Sequence, residues 1–200
     1  MNIYGASGHA RVILDILKST NTEVHYIFDD DKDICKIGGY PVAHEWSSKM
    51  LKHPTLIAIG ENQVRKKVVN NFKGEIAPPL AHRSSIISDS AVLKAGTVVM
   101  ANAVINSEAH IGKHCIVNTA AVIEHEVVLG NYVHISPGAI LTGNVKIGEG
   151  AHIGAGVSVI PGVHIGKWAI IGAGAVVIND IPDFAVVVGN PGRIIKNRRV

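Results

Sequence analysis

The chain has 200 residues, a formal net charge of +3 and two cysteines. That charge is too small for a nucleic-acid surface, two cysteines make no disulfide framework, and the apolar runs end in Gly, Asn or Pro too soon to span a membrane. The N-terminus MNIYGASGHA carries no basic leader before an apolar core, so the chain reads as a cytoplasmic protein.

In chain order, Asn2–Gly5 reads as a short apolar strand. Gly5-Ala6-Ser7-Gly8-His9 is then a tight turn feeding a helix with Val12, Ile13, Ile16 and Leu17 on one side. Strand, glycine turn and helix N-terminus together make an anion cradle, because free backbone N–H groups and the helix dipole point at the turn. Gly5-x-x-Gly8 falls short of a full dinucleotide fingerprint. A second strand, Glu23–Phe28, ends in Asp29-Asp30-Asp31, at a distance from the first glycine where an acidic residue commonly meets a ribose; taken alone, the triplet fits a solvated acidic turn better. Thr55–Gly60 is a third strand, and Asn62 can cap a helix with Val64, Val68, Val69 and Phe72 inward and Arg65, Lys66 and Lys67 outward. These elements make a small α/β, Rossmann-like unit, adequate for one nucleotide.

Composition shifts near Ala81, after the Pro78–Pro79 pair, which divides the chain into residues 1–80 and residues 81–200 with a C-terminal tail. Beyond the boundary the chain counts in sixes. From Ile87 to Val177 every sixth residue is aliphatic, and four residues on, from Ala91 to Ala175, every sixth is small or β-branched. Neither a helical nor a simple strand period explains this; a hexapeptide repeat does, and it predicts a parallel β-helix of 18 residues per coil and a little over five coils.

Residues 18 apart then stack in columns. Lys113, Asn131, Glu149 and Lys167 form a charged corner, expected to face water; Thr119, Pro137, Ala155 and Ala173 form a narrow one; Ser107, His125, Gly143 and Pro161 form the third. The outward column Val104, Val122, Ile140 and Val176 is apolar apart from Ser158. Such a face calls for cover, and a triangular prism closes most simply as a homotrimer. The basic tail Arg193, Lys196, Arg198 and Arg199 is either a solvated end or a docking surface for phosphates.

Six histidines lie in the solenoid, and His125 stands apart from them. It sits at a corner between Glu124 and Glu126 with Gly143 above it, and a neighbouring carboxylate that fixes the tautomer makes an imidazole a better base. His134 and His152 share a column on another face, so a neighbouring subunit is needed to bring His134 to His125. The pair His110 and His114 falls on different sides of a β-helix, and no compact metal cluster is evident.

The hexapeptide repeat resembles the left-handed β-helix acyltransferases. The ordered set Tyr4-Gly5-Ala6-Ser7-Gly8-His9, Phe28-Asp29-Asp30, Ala58-Ile59-Gly60-Glu61-Asn62-x-x-Arg65, Glu124-His125-Glu126 and Gly189-Asn190-Pro191 is similar to the narrower sugar O-/N-acyltransferase family of bacterial glycan biosynthesis. Glu61 stands where that family often has Asn, and Gly192 where it usually has Ala. The resemblance implies an acetyl-CoA-dependent, metal-free enzyme with a UDP-amino-sugar held by Ser7, Gly8, His9, Asp29, Asp30 and the Gly60 turn. It implies His125 as base supported by Glu126, and a coenzyme groove between subunits touching His134, Gly143, Ala155 and Ala173. N-acetylation of a UDP-4-amino-sugar is the expected reaction; O-acetylation of a sialic acid, or a non-catalytic sugar-nucleotide sensor or scaffold, are the alternatives.

Overall fold

A computed structural model of the chain describes residues 1–198; Arg199, part of the basic tail, lies outside the described residues. The N-terminal sheet contains β1 (Asn2–Tyr4), β2 (Ile27–Phe28), β3 (Lys36–Ile37), β4 (Tyr40–Ala43) and β5 (Thr55–Ile57), in the order β3-β4-β2-β1-β5. All pairs are parallel except the β3–β4 hairpin. Two helices, α1 (Gly8–Ser19) and α2 (Asn62–Asn71), follow β1 and β5.

The sheet departs from expectation where its strands end. β2 pairs only at Ile27 and Phe28, and β5 stops at Ile57, leaving Gly60 in the loop that enters α2. α1 buries Ala10, Ile13, Leu14, Ile16 and Leu17 while Val12 is exposed. α2 is turned round: Glu61, not Asn62, is its cap, accepting from the Val64 N–H at 2.6 Å. Its buried residues are Asn62 and Arg65, while Val64 is 47% exposed. Apolar periodicity pointed the valines inward, but α2 packs its polar edge on backbone carbonyls of the β-helix, and buried carbonyls select donors over methyl groups.

The β-helix runs from Leu80–Ala81 onward as three flat faces of two-residue parallel strands. Its first face carries Val98–Val99, Ile116–Val117, His134–Ile135, His152–Ile153 and Ile170–Ile171, and ends in an antiparallel hairpin of Ala185–Val188 with Arg193–Asn197. The second face runs from Ile86–Ile87 to Val176–Val177, and the third from Val92–Leu93 to His164–Ile165. Pairing is at 18 residues up to Val176–Val177, as in Val104 with Val122 and His134 with His152, so the predicted columns hold; only the last rungs shorten to 16, with Ile170 on Val186 and Ile165 on Ile181.

One continuous core fills the prism, with Ile105, Ile123, Leu141, Ile153 and Ile171 all fully buried. Burying an aliphatic side chain of this size contributes about 1.5–3 kcal/mol, so each coil is stabilised mainly by its three inward residues. The corners obey a further six-residue register that the aliphatic count alone did not reveal. From Gly96 to Gly174 the second corner residue has positive φ in every repeat, whether it is Gly, Asn102, Glu126, Tyr132 or Trp168. Each such residue turns the chain so that the next strand starts on the next face.

Gly130 shows how tightly the coils stack. A Cβ there would lie 2.7 Å from the Glu149 N and 3.0 Å from its Cα, both backbone atoms of the coil above. Overpacking of this kind typically costs about 1–3 kcal/mol, so Gly130→Ala is expected to lower the urea midpoint by that equivalent. An unchanged midpoint would show that the coils can part.

The N-terminal unit packs on the first face through a second core that includes Ile3, Leu56, Ala77, Val98, Met100 and Ile116. The charged corner is therefore not simply wet. α2 docks beside it, and Lys66 of α2 forms an ion pair with Glu149. No helix among the described residues is long and apolar enough to cross a membrane.

Candidate active site

The corner between the second and third faces carries His125. The side chains of His125 and Glu126 are 60% and 59% exposed, with Nδ1 of the imidazole 3.1 Å from Glu126 Oε2. A carboxylate only accepts, so the bond places the proton on Nδ1 and leaves Nε2 with its lone pair. Among the described residues nothing hydrogen-bonds Nε2. Glu126 holds φ at 61°, a left-handed conformation that costs a non-glycine residue about 1–2 kcal/mol and that it shares with the other corner residues of its register, such as Glu108 and Tyr132. Gly143 lies directly against the ring: a Cβ would come within 2.5 Å of His125 Cε1. Its N–H donates to no other group among the described residues.

The other edge of the second face carries Thr119, Pro137, Ala155 and Ala173. Ala155 and Ala173 are exposed, and a Cβ on Gly156 or Gly174 would meet only open space. Between the two edges lies the apolar second face, with Ile140 39% exposed.

The predicted nucleotide residues gather at the carboxyl ends of β1, β2 and β5. Ser7 caps α1 by position, yet its hydroxyl bonds nothing in the helix, and Gly8 has open space around it. Asp29 is occupied by the fold: its carboxylate accepts from the Ala6 N–H at 2.6 Å and the Asp31 N–H at 2.9 Å, which shapes the glycine turn. Asp30 accepts from the Tyr4 hydroxyl at 2.7 Å. Next to it opens a cavity of about 600 Å³ lined by Tyr4, Phe28, Trp46, Val68, Phe72 and Lys67 among others. Its rings pack edge to face or tilted, with centroids 4.6 Å apart for Phe28 and Trp46 and 5.3 Å for Trp46 and Phe72. These aromatics are scattered over Tyr4, Phe28, Trp46 and Phe72, and no spacing in the sequence groups them.

His9 and His134 meet across the Gly60 turn. A Cβ on Gly60 would lie 4.0 Å from His9 Cβ, and the His134 ring approaches the Gly60 carbonyl. His134 stacks on His152 at 4.8 Å, and its Nε2 is 3.1 Å from Asn118 Nδ2. Asn118 Oδ1 accepts from the Thr119 N–H, so Nδ2 must donate and His134 carries its proton on Nδ1. That proton is the one available to the Gly60 carbonyl, while His9 Nε2 is buried without a hydrogen-bond partner among the described residues.

Burial pushes the His9 pKa down to about 4, helped by the charge of Arg65. Burial, then His152, Arg65 and His9, push His134 down to about 3. Both imidazoles are neutral in the folded state but take protons in the unfolded chain as pH falls below about 6.5. Their share of stability is therefore complete above pH 6.5 and is lost towards pH 4 for His9 and pH 3 for His134, at about 1.4 kcal/mol per pH unit for each. The urea midpoint should fall between pH 7.5 and 5, with a shallower slope in His134→Gln; equal slopes would contradict the assignment.

Within the chain, then, the structure joins His125 with Glu126 and Gly143, and Ser7, Gly8, His9, Asp29, Asp30 and Gly60 with His134. It leaves Ala155 and Ala173 on a separate edge. His134 faces Asn118 and the Gly60 turn on the first face, away from its own chain's His125. His110 is exposed on the third face, while His114 is buried against Tyr132, and no group of three or more potential ligands for a metal ion occurs among the described residues.

A β-helix with small-residue edges, a corner imidazole oriented by a carboxylate and an appended nucleotide-type α/β unit define a hexapeptide-repeat acyltransferase. Residues 1–72 match the PglD N-terminal domain and residues 144–179 the bacterial transferase hexapeptide repeat. The chain is similar to a histidine-to-asparagine variant of perosamine N-acetyltransferase from Caulobacter crescentus, solved with CoA and GDP-perosamine. The two are 35% identical over 98% of this chain and 96% of that one, with a TM-score of 0.92. It is similar also to the acetyltransferase domain of PglB from Neisseria gonorrhoeae, at 34% identity over 97% of this chain and 98% of that one, with a TM-score of 0.88. A curated relative from Bacillus subtilis, UDP-N-acetylbacillosamine N-acetyltransferase, is 41% identical over 114 residues, half the length of each chain. The chain belongs to the sugar O-/N-acyltransferase family of left-handed β-helix proteins.

Proposed function

We propose that the protein transfers the acetyl group of acetyl-CoA to the amine of a nucleotide-linked 4-amino-sugar, with UDP as the expected nucleotide. Residues 1–80 hold the sugar nucleotide and residues 81–200 carry out the transfer. The observation that carries this reading is the His125 imidazole, oriented by Glu126 at 3.1 Å, with Nε2 open at a corner floored by Gly143.

The sugar amine attacks the thioester carbonyl while His125 Nε2 takes its proton. The Gly143 N–H is available to the oxyanion, and collapse expels the thiolate, leaving an amide. Because amines attack thioesters readily, holding both substrates in one cleft supplies much of the rate. The edge of Ala155 and Ala173 leaves room for an extended coenzyme, and the aromatic cavity beside Asp30 offers ring faces to a nucleobase. A homotrimer covers the apolar second face and carries one chain's His134 toward a neighbour's His125.

Incubation with acetyl-CoA and a panel of UDP-4-amino-sugar, GDP-4-amino-sugar and free sialic acid, read by mass, tests the reading. Acetylation of the UDP-linked amine is the expected result. Turnover of the GDP sugar instead revises the nucleotide, turnover of sialic acid alone makes the protein an O-acetyltransferase, and nucleotide binding with no turnover makes it a sensor.

A further inference from the structure

Arg65 is 1% exposed, and its five hydrogen bonds go to neutral oxygens. Nη1 donates to the carbonyls of Ile59 and Gly60 at 2.9 and 3.0 Å, Nε to His114 at 2.9 Å, and Nη2 to Tyr132 at 2.9 Å and to Asn62 Oδ1 at 2.7 Å. Asn62 Nδ2 in turn donates to the carbonyls of Gly150 and Ala151 at 3.1 and 3.2 Å. His114, Tyr132 and Gly150 are 18 residues apart, one per coil on one corner, with φ of 55°, 60° and 69°.

A repetitive prism offers nearly the same surface to a docked helix at every coil, and one coil of slip is a shift of only about 4.8 Å. Apolar packing alone does not choose among coils. The ladder does. Gly150 is the one glycine among these three corner residues, and the indole of Trp168 covers the place its Cβ would occupy, 2.4 Å away. One coil further on, Asn62 would meet Trp168 in place of a glycine. Moreover, a buried cation on carbonyls carries a desolvation penalty that an apolar side chain of like volume would avoid, so stability gives little reason for an arginine here.

We propose that Arg65 and Asn62 are positioning residues that pin the nucleotide-binding unit to one coil of the β-helix. Tyr132 and Gly150 each come two residues before a histidine of the first face, His134 and His152. The same guanidinium holds the Gly60 turn, so the pin fixes the sugar-nucleotide cradle at the level of the coils that carry His125 and His134. The catalytic consequence rests on the acetyl-transfer reading; the register itself does not.

Two measurements on the full chain separate these. A spin label on the exposed Cys35 and another on His164→Cys, with labelled chains diluted into unlabelled protein, report the distance between the two units. The native pair should give one narrow distance. Arg65→Lys and Asn62→Ala, shown to be folded by their melting curves, should broaden it or add a second distance about 5 Å away, near one strand spacing. Their kcat/KM for the sugar nucleotide should fall at least about tenfold while KM for acetyl-CoA stays within twofold, since the edges at Gly143, Ala155 and Ala173 are untouched. An unchanged narrow distance in folded variants overturns the pin, whatever the activity. A shifted distance with unchanged kinetics overturns its role in the reaction. If the native chain acetylates no sugar nucleotide, the distance measurement alone decides the register.

Discussion

Replacing His125 with alanine is expected to lower kcat by about two orders of magnitude or more, the range a general base contributes. KM for acetyl-CoA should hardly change, because the ring stands 60% exposed at a corner, beside Gly143 and Glu126. For the same reason the melting temperature should stay close to that of the parent. The argument is geometric: with Glu126 on Nδ1, only Nε2 can accept a proton, and the side chain that carries it is exposed. Steady-state kinetics with the best sugar nucleotide of the panel checks this, and near-native turnover would remove His125 from the reaction.

Gly143→Ala should cost nearly as much, up to about a hundredfold in kcat, without touching any group that moves a proton. A methyl there would overlap the imidazole at 2.5 and 2.6 Å, and the ring, being exposed, would swing aside sooner than the backbone would yield. Displacement of a catalytic group by about 1 Å is enough for a loss of that order. Gly143 has an ordinary negative-side backbone, since it is not among the residues of positive φ, so alanine adds no conformational strain. The expected signature is low kcat with an unchanged urea midpoint, opposite to Gly130→Ala, where the added carbon meets backbone and stability falls. Equal activity of Gly143→Ala and the native chain would mean that the ring works from another position.

The β-helix was legible because its core residues are also its periodic ones: Ile87 to Val177 fill the prism, and counting by 18 located each corner. The pairing of His125 with Glu126 was legible for the same reason, since adjacent residues at a corner must lie together. What the period could not show is what lands on the prism. The corner of Lys113, Asn131 and Glu149 looked wet, but its carbonyls, one residue on, receive Arg65 and Asn62. α2 was misoriented for that reason; its valines satisfied a helical stripe while its arginine, normally a surface residue, went to the interface. The aromatic cavity was hidden because Tyr4, Phe28, Trp46 and Phe72 come from four separate segments that only the parallel sheet brings together. His134 was expected in a coenzyme groove between subunits; within the single chain it lies by the Gly60 turn, a contact the period could not show.

The acetyl-transfer account rests on His125 acting at an acetyl-CoA thioester, and one measurement addresses it directly. Native chain and His125→Ala are incubated side by side with acetyl-CoA and the UDP-4-amino-sugar, and free CoA and the mass of the sugar nucleotide are followed together. The account predicts that the native chain releases CoA in step with the gain of one acetyl group on the sugar amine, and that the variant does so at least about a hundredfold more slowly. Equal rates in the two proteins, or CoA release with no gain of mass on any sugar nucleotide, would contradict it.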